Sequence, residues 1–595
     1  MRRSYDLIFK LSPGDIEISE NLIVKKLRKN LVEELYVYRD SIELSKIIKP
    51  LYSDTRRIHN ICSSNECDKL RVSLAVPRES VKSVHDRGLI VVVDTDYHKI
   101  YVSKSKICYN ENRIGPFKIV SREIDSIAVE RGLISIDLVR DSRDICEHTI
   151  LISREPLDLE SDYLQRIYRG YYEDGLIWAL IRSGAAKREV LPREIEDEQA
   201  YYWPRGDLLR KSLYQWYSYD DSASLHVYTE ILQQIIDQMS RYGGLLIPYI
   251  TAARKSNIYG APQQIYVFES LYRGYQILGS EALREKALES LKCFITQPPE
   301  CLGYYTFREG GLWFRWGSYH YLSRDPEGRE DLYVLNTHLM GVVALLEARL
   351  LEACDWCEYY AREGVKAVVG LLREFQREDG YLYYSLYNKE RFGEKEDLIM
   401  PHTIGYHTLS SRLMIRAGRI AGERVLVESG LRGCRHSIKR LYEGRYDLRD
   451  EILRCLVEFY RFSSDRSVIR EIDEISRRII YRKPVAQLGY SIDESSRAIL
   501  PPAIRLPREI ESIVILLLED KEDHLKYYLY TPQRVVVEII PRKLPSGRVV
   551  KYRQVDIESL GGESREKSPC EMMREESMTV IQCSEDFSGL IEISL

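Results

Sequence analysis

The sequence predicts a multidomain protein: a central all-α α/α toroid, complete or partial, flanked by an N-terminal α+β or β module and a C-terminal β module. Three observations lead there. The chain has 595 residues, whereas single cores stop growing at roughly 250–300 residues. The apolar period turns from strand-like to helical near residue 160 and back near residue 490. Between those points a unit recurs, in which a helix pair is followed by a glycine and a short aromatic segment. Its markers are Gly243-Gly244-Leu245, Gly303-Tyr304-Tyr305, Gly380-Tyr381-Leu382, Gly444-Arg445-Tyr446 and Gly489-Tyr490-Ser491.

Residues 1–155 contain short alternating strands, among them Leu89–Val93, Lys99–Val102 and Thr149–Ile152, with a charged helix expected near residues 20–35. No glycine-rich phosphate loop occurs there. Over 160–490 the helix pairs are clearest at 261–300 and 336–376. In the second pair Leu339, Val342, Val343, Leu345, Leu346 and Ala348 make a stripe wide enough for a helix buried on most sides. A helix pair cannot bury its own apolar face, so neighbours must close around an axis, and inserted loops and helix starts gather at one end. Residues 491–595 return to strands: Ile513–Leu518, Tyr527–Tyr530, Val535–Ile540 and Thr579–Gln582. Gripping a chain or closing a homodimer is the expected role of this module.

Charge excludes a dedicated nucleic-acid surface: 87 basic against 91 acidic residues leave a formal charge of -4, with no basic block. The longest apolar run, Ile513–Leu518, falls far short of the ~20 residues that cross a bilayer and reads as a buried strand. The first ten residues lack an apolar leader core. A soluble, cytoplasmic protein is therefore expected. The 44 Tyr against 11 Phe suit carbohydrate platforms, because tyrosine joins a polar handle to an apolar body. Compositional drift in a thermophile accounts for the same excess. Twelve cysteines are scattered. None has the paired spacing of a zinc site, so no metal is expected and structural thiols are the reading, including Cys354-Asp-Trp-Cys357. A disulfide is weighed only at Cys62–Cys67.

Two segments carry a resemblance. Gly310-Gly311-Leu312-Trp313-Phe314 is followed by Val334-Leu335-Asn336 at a helix start. Asp379-Gly380-Tyr381-Leu382-Tyr383-Tyr384-Ser385-Leu386 is followed by Gly405-Tyr406-His407-Thr408. Together they resemble the C-terminal, α/α toroid domain of the D-glucuronyl C5-epimerases, over about 250–425. The resemblance implies an isomerase that inverts carbon-5 of uronic acid residues in a polysaccharide or oligosaccharide. One departure stands out: where that family has Glu-Glu-Tyr, this chain has Arg315-Trp316-Gly317, with Tyr319 and Tyr321 just beyond.

The implied chemistry removes the carbon-5 proton on one face and returns it on the other, while the carboxylate is neutralised. It needs no nicotinamide or phosphate cofactor. The resemblance places Tyr406 as one proton carrier, with Tyr383 or Tyr384 from the glycine-led strand and Tyr319 or Tyr321 as further catalytic candidates. His407, His402, Asn336, His338 and Arg315 are the expected substrate ligands, and Trp313 a stacking platform. Competing readings are structural: Asn336 as a helix cap, Trp313 as core, and one of Tyr383 and Tyr384 turned inward by strand alternation. A polysaccharide lyase, a glycoside hydrolase using two of Glu309, Asp331 and Asp379, and a non-catalytic glycan-binding scaffold are the alternatives.

Overall fold

In a computed structural model, the chain forms two compact units: Met1–Ser240 with Leu245–Ile258 and Ile277–Arg284, and Arg241–Gly244 with Tyr259–Gln276 and Glu285–Leu595. The structure describes residues 3–10, 23–24, 34–39, 53–61, 67–75, 81–87, 90–96, 99–109, 119–123, 126–130, 133–139, 145–153, 185–188, 201–204, 206–219, 223–224, 227–228, 231–232, 235–236, 239, 243–251, 254–307, 310–319, 332–352, 354–387, 400–401, 404–445, 448–478, 485–486, 502–506, 513–521, 524–532, 534–540, 551–556, 570–575, 578–583 and 587–594.

The first unit is rich in strands. One sheet runs in the order Arg3–Lys10, Cys67–Ala75, Leu133–Val139, Ser126–Glu130, its first pair parallel. A larger sheet has Ser53–Ile61, Ile145–Ser153, Lys99–Tyr109 and Ile90–Asp94 as its successive central strands. Ile90–Val93 and Ile100–Val102 are buried, as their continuous apolar runs require. Residues 23–24, inside the stretch expected as a charged helix, instead pair antiparallel with Glu34–Arg39. Backbone pairing at Ile23-Val24 outweighs the helical preference of the charged residues that follow. The unit also holds helix α1 (Gly206–Tyr219), where Trp216 stacks on the fully buried Tyr228 with ring centroids 6.5 Å apart.

Apart from Ile277–Arg284, the second unit contains successive helix pairs: α2 (Ala261–Leu278) with α3 (Glu281–Leu291), α4 (Leu335–Glu352) with α5 (Asp355–Phe375), α6 (Ile404–Ala421) with α7 (Arg424–Tyr442), and α8 (Arg449–Ser463) with α9 (Arg466–Arg478). The first helices of the later pairs lie side by side, α4 against α6 and α6 against α8. Successive first helices side by side are what the expected α/α toroid requires. Helix α4 is buried from Leu335 through Leu339 and again from Gly341 through Ala348, as its broad apolar stripe predicts.

Where the first helices meet, the interior is charged. Arg412, Arg416 and Arg419 lie on one face of α6. Arg416 pairs with Glu347 of α4, Arg412 with Glu451 at 3.2 Å, and Arg419 with Glu458 of α8 at 3.5 Å. Glu347 and Glu458 are each 1% exposed. Burial pulls the Arg416 guanidinium down to about 10, against the opposing pull of Glu458 and Glu269. Helices α4, α6 and α8 thus meet over ion pairs as well as over aliphatic side chains.

After α9 come two sheets. The first has the order Val485–Ala486, Val514–Lys521, His524–Thr531, Phe587–Ser594, Lys551–Asp556; the second Ala503–Arg505, Val535–Ile540, Met578–Cys583, Cys570–Glu575. Val514, Leu516 and Leu518 join a core with Ile452, Leu456, Val468, Ile469, Ile472 and Ile475 of α8 and α9. Ile515 and Leu517 point the other way, to Val535, Val537, Ile539 and Ile581. Alternation on a strand buried on both faces explains its unbroken apolar run. The C-terminal strands therefore share a core with the last helix pair.

Cysteines depart from expectation. Cys293–Cys301, Cys354–Cys357 and Cys434–Cys455 are disulfides, and no cysteine is free among the described residues. Cys354 caps α5 rather than lying inside it, and its Cα atom is 5.2 Å from that of Cys357, within bridging range. Cys62 lies outside the described residues. Among the described residues no helix is long and apolar enough to cross a membrane.

Candidate functional site

Strand–helix junctions build the site. Leu332–Val334 leads straight into α4, and Met400–Pro401 lies just ahead of α6. Both pair antiparallel with the central strand Tyr383–Tyr387. Val334 is in register with Ser385 and Tyr333 with Leu386. This small sheet sets the first turns of α4 and α6, which carry Asn336 and Tyr406, beside Tyr383 and Tyr384.

Tyr384 and Tyr406 meet, with ring centroids 5.7 Å apart at 35°. Tyr406 is 48% exposed and Tyr384 half-buried. Tyr383 leans instead on Tyr381, ring centroids 6.0 Å apart and nearly perpendicular. By contact, Tyr384 rather than Tyr383 lies against Tyr406. That contact also constrains the chemistry. A sugar ring held between two aromatic groups needs roughly 7–8 Å between them, since each face takes a contact of about 3.5–4.0 Å. Tyr384 and Tyr406 therefore form one wall.

His407 sits next to Tyr406 and turns inward. Its Nδ1 accepts the Leu382 N–H at 3.0 Å, so the proton lies on Nε2, which donates to the Gly433 carbonyl at 3.0 Å. Burial lowers this imidazole to about 4, with the Gly433 carbonyl opposing and His436 reinforcing. His338 is built the same way. It accepts from the Phe314 N–H at 2.9 Å and donates to the Gly364 carbonyl at 3.1 Å, and burial lowers it to about 3 against the pull of that carbonyl. Both histidines are fully buried and both spend their ring nitrogens on the main chain. The structure gives them the task of tying an aromatic strand to its helix pair.

An aromatic plate covers each imidazole, Trp313 at 4.0 Å on His338 and Tyr381 at 5.1 Å on His407. Trp313 is fully buried between His338 and Phe375, the latter stacked at 5.4 Å. It is core, and a sugar cannot stack on it. Two glycines make the approach of each strand to its second helix feasible. Gly311 has φ 95° and a Cβ there would lie 2.9 Å from the Ala367 nitrogen; Gly380 has φ 87° and a Cβ would lie 2.6 Å from the Arg432 oxygen. No L side chain fits either place without strain.

Arg315 lies over the Tyr305 ring at 3.9 Å and its Nη1 donates to the Tyr305 hydroxyl at 3.0 Å. Tyr305 in turn packs edge-on against Tyr333. The backbone beside Arg315 is structural too: its N–H donates to the Gly303 carbonyl, and the Trp316 carbonyl accepts from Ala261 at the start of α2. Asn336 is 5% exposed, and its side-chain oxygen meets no donor among the described residues; the same holds for the buried Ser385 hydroxyl. Thr337 bonds the Val334 carbonyl at 3.1 Å across the helix start.

Asp379 holds its own turn. It accepts the Tyr381 N–H at 3.1 Å and pairs with Arg377 at 3.2 Å. Burial pushes its carboxyl up, but the Tyr381 N–H, Arg377 and His436 outweigh this and leave it below its ordinary value. Tyr319 lies in the strand Gly317–Tyr319, and its side chain is outside what the structure describes. Tyr321, His402, Glu309 and Asp331 fall outside the described residues. Among the described residues no three His, Cys, Asp or Glu side chains gather as a metal site. Sequence reasoning passed over Tyr305 and Tyr333, although Gly303-Tyr304-Tyr305 was visible as a repeat marker.

No family model matches the chain, and no curated protein matches it. Among solved structures it is similar to a family 76 glycoside hydrolase from a bovine Bacteroides thetaiotaomicron strain, at 9% identity and TM-score 0.34, covering 66% of this chain and 89% of the other. Cellobiose 2-epimerase from Bacillus thermoamylovorans gives 12% identity, TM-score 0.35 and coverage of 46% and 75%. An unsaturated glucuronyl hydrolase from a Bacillus species gives 12%, 0.34, and 48% and 78%. At these scores the likeness carries no argument about activity.

Proposed function

We propose that this protein is a carbohydrate-active enzyme that moves the carbon-5 proton of uronate residues in a polysaccharide or oligosaccharide, as the resemblance to D-glucuronyl C5-epimerases implies. The observation that carries the reading is the contact between Tyr384 and Tyr406. Within the second segment of the resemblance, the glycine-led strand and the following helix start each deliver a phenol to one exposed place, with ring centroids 5.7 Å apart.

In this reading Tyr406 takes the proton from one face of the sugar, with Tyr384 beside it. The opposite carrier is Tyr319 or Tyr321, because a phenol in contact with Tyr406 cannot reach the far face. Negative charge spreads into the uronate carboxylate, where Arg315 is the available cation. Its hydrogen bond to Tyr305 pre-orients the guanidinium. Returning the proton to the far face inverts the centre; expelling the carbon-4 substituent instead would make a lyase. Incubation with uronate polymers in heavy water separates these. Carbon-5 deuterium without scission is expected; unsaturated ends identify the lyase, and neither outcome across a broad glycan panel removes the proposal.

A glycoside hydrolase is disfavoured at Asp379, whose lowered carboxyl suits an ionised turn residue rather than a general acid. A non-catalytic glycan-binding scaffold is supported by Arg315-Trp316-Gly317, which replaces the family's acidic element and is engaged in local structure. Glycan binding that persists without exchange, and is unchanged in Tyr406→Phe, identifies that case.

A further inference from the structure

The Cys354–Cys357 disulfide differs from its counterparts. It closes a sequence separation of 3, against 8 for Cys293–Cys301 and 21 for Cys434–Cys455. Chain-entropy stabilisation grows with loop size, so this bridge contributes least as a staple. Its position is also distinct. Cys354 is the N-cap of α5, and its sulfur accepts the Cys357 N–H at 3.3 Å. Once reduced, a sulfur there gains the same N–H and the positive end of a 21-residue helix, both of which favour thiolate. Asp355 opposes this from the first turn, while Glu358 is engaged by Arg349 at 2.6 Å and Arg362 at 2.9 Å. Access completes the contrast: Cys357, Cys293, Cys301, Cys434 and Cys455 are fully buried, whereas Cys354 is partly exposed.

We propose that Cys354–Cys357 is a thiol–disulfide exchange site for a low-molecular-weight dithiol. One thiolate of the dithiol attacks the exposed Cys354 sulfur, forming a mixed disulfide and releasing Cys357 as thiolate. The second thiol, after losing its proton, attacks its neighbour's sulfur and expels the Cys354 thiolate. The dithiol leaves as a cyclic disulfide, and the protein pair has gained two electrons and two protons. The buried Cys357 serves as the resolving partner when the steps run in reverse.

Dithiothreitol is the probe, applied to the folded full-length chain, with iodoacetamide quenching and mass mapping of each cysteine. Cys354 and Cys357 are expected to be alkylated at least about tenfold faster than Cys293, Cys301, Cys434 and Cys455, because the dithiol reaches their bridge through the partly exposed Cys354 and thiolate character is favoured there. Equal rates, slower alkylation, or the absence of this disulfide in air-purified protein overturn the proposal. In a second experiment, Cys357→Ser incubated with glutathione disulfide is expected to take one glutathione on Cys354, and Cys354→Ser none on Cys357. The reverse pattern overturns it, and the wild-type kinetics decide alone if either variant fails to fold.

Discussion

His338 and His407 perform the same act in successive helix pairs. Each accepts a main-chain N–H from a strand that precedes it by 24 or 25 residues, and each donates to a glycine carbonyl 26 residues further on. In α2 the corresponding fourth position of the helix holds Gln264, also fully buried, whose amide offers the same donor and acceptor pair.

Replacing His407 by Ala should therefore be costly. It strands the Leu382 N–H in a buried place, at about 1–3 kcal/mol, while the Gly433 carbonyl keeps the Ser437 hydroxyl at 3.3 Å. His407→Gln should recover part of the loss, as the residue at 264 suggests. Chemical denaturation of the three proteins checks both statements.

Acid should weaken the fold through these imidazoles. Both stay neutral in the folded chain, with values lowered to about 4 and about 3 from the ordinary 6.5. Their contribution is complete above pH 6.5 and declines as the unfolded chain takes protons that the folded one refuses. The decline levels off near pH 4 for His407 and near pH 3 for His338. Denaturation midpoints between pH 7.5 and 4.5 should fall, and the His338→Gln, His407→Gln double variant should flatten that slope.

Gly380→Ala should destabilise by at least about 1 kcal/mol, since φ 87° disfavours any side chain and its Cβ meets the Arg432 carbonyl. Thermal unfolding reads this directly. Gly422, which also has positive φ but open space around it, is the control and should cost less.

Breaking the axial charge network should be worse than removing it. Glu347→Gln leaves the buried Arg416 without the carboxylate it pairs with directly, only Glu458 and Glu269 still acting on it, for a loss approaching about 3–5 kcal/mol, whereas an apolar replacement of both partners should cost less. A double-mutant cycle on Glu347 and Arg416 measures the difference.

Tyr406→Phe is the test of chemistry. Loss of a positioned proton carrier should reduce carbon-5 exchange by about 10²–10⁴-fold, with the melting temperature unchanged because the residue is half-exposed. Tyr384→Phe should have a smaller effect in the same assay, since Tyr384 stands beside the proton carrier in that wall.

Much of the architecture was legible in the chain. The helical period marked the pairs at 261–300 and 336–376, and the unbroken apolar run at 513–518 marked a strand covered on both sides. The Tyr406-His407 pair also announced itself, but the sequence reading turns both residues toward the substrate, Tyr406 as proton carrier and His407 as ligand. Adjacent helical positions point about 100° apart, so Tyr406 looks outward while His407 enters the core. Trp313 was ambiguous because stacking platforms and core plates share one residue type. The disulfides were illegible for a different reason: Cys434 and Cys455 are neighbours only after α7 and α8 pack, and no spacing rule encodes that approach.

The imidazole bridges have an evolutionary corollary. Every atom of one bridge falls within residues 311–364, and every atom of the other within 380–433. A stretch of chain that carries its own latch keeps that latch wherever it is copied or grafted, while the ion pairs from Arg416 to Glu347 and from Arg419 to Glu458 must be matched by its neighbours. Lengthening such a protein by tandem duplication would require new surfaces only at the two seams.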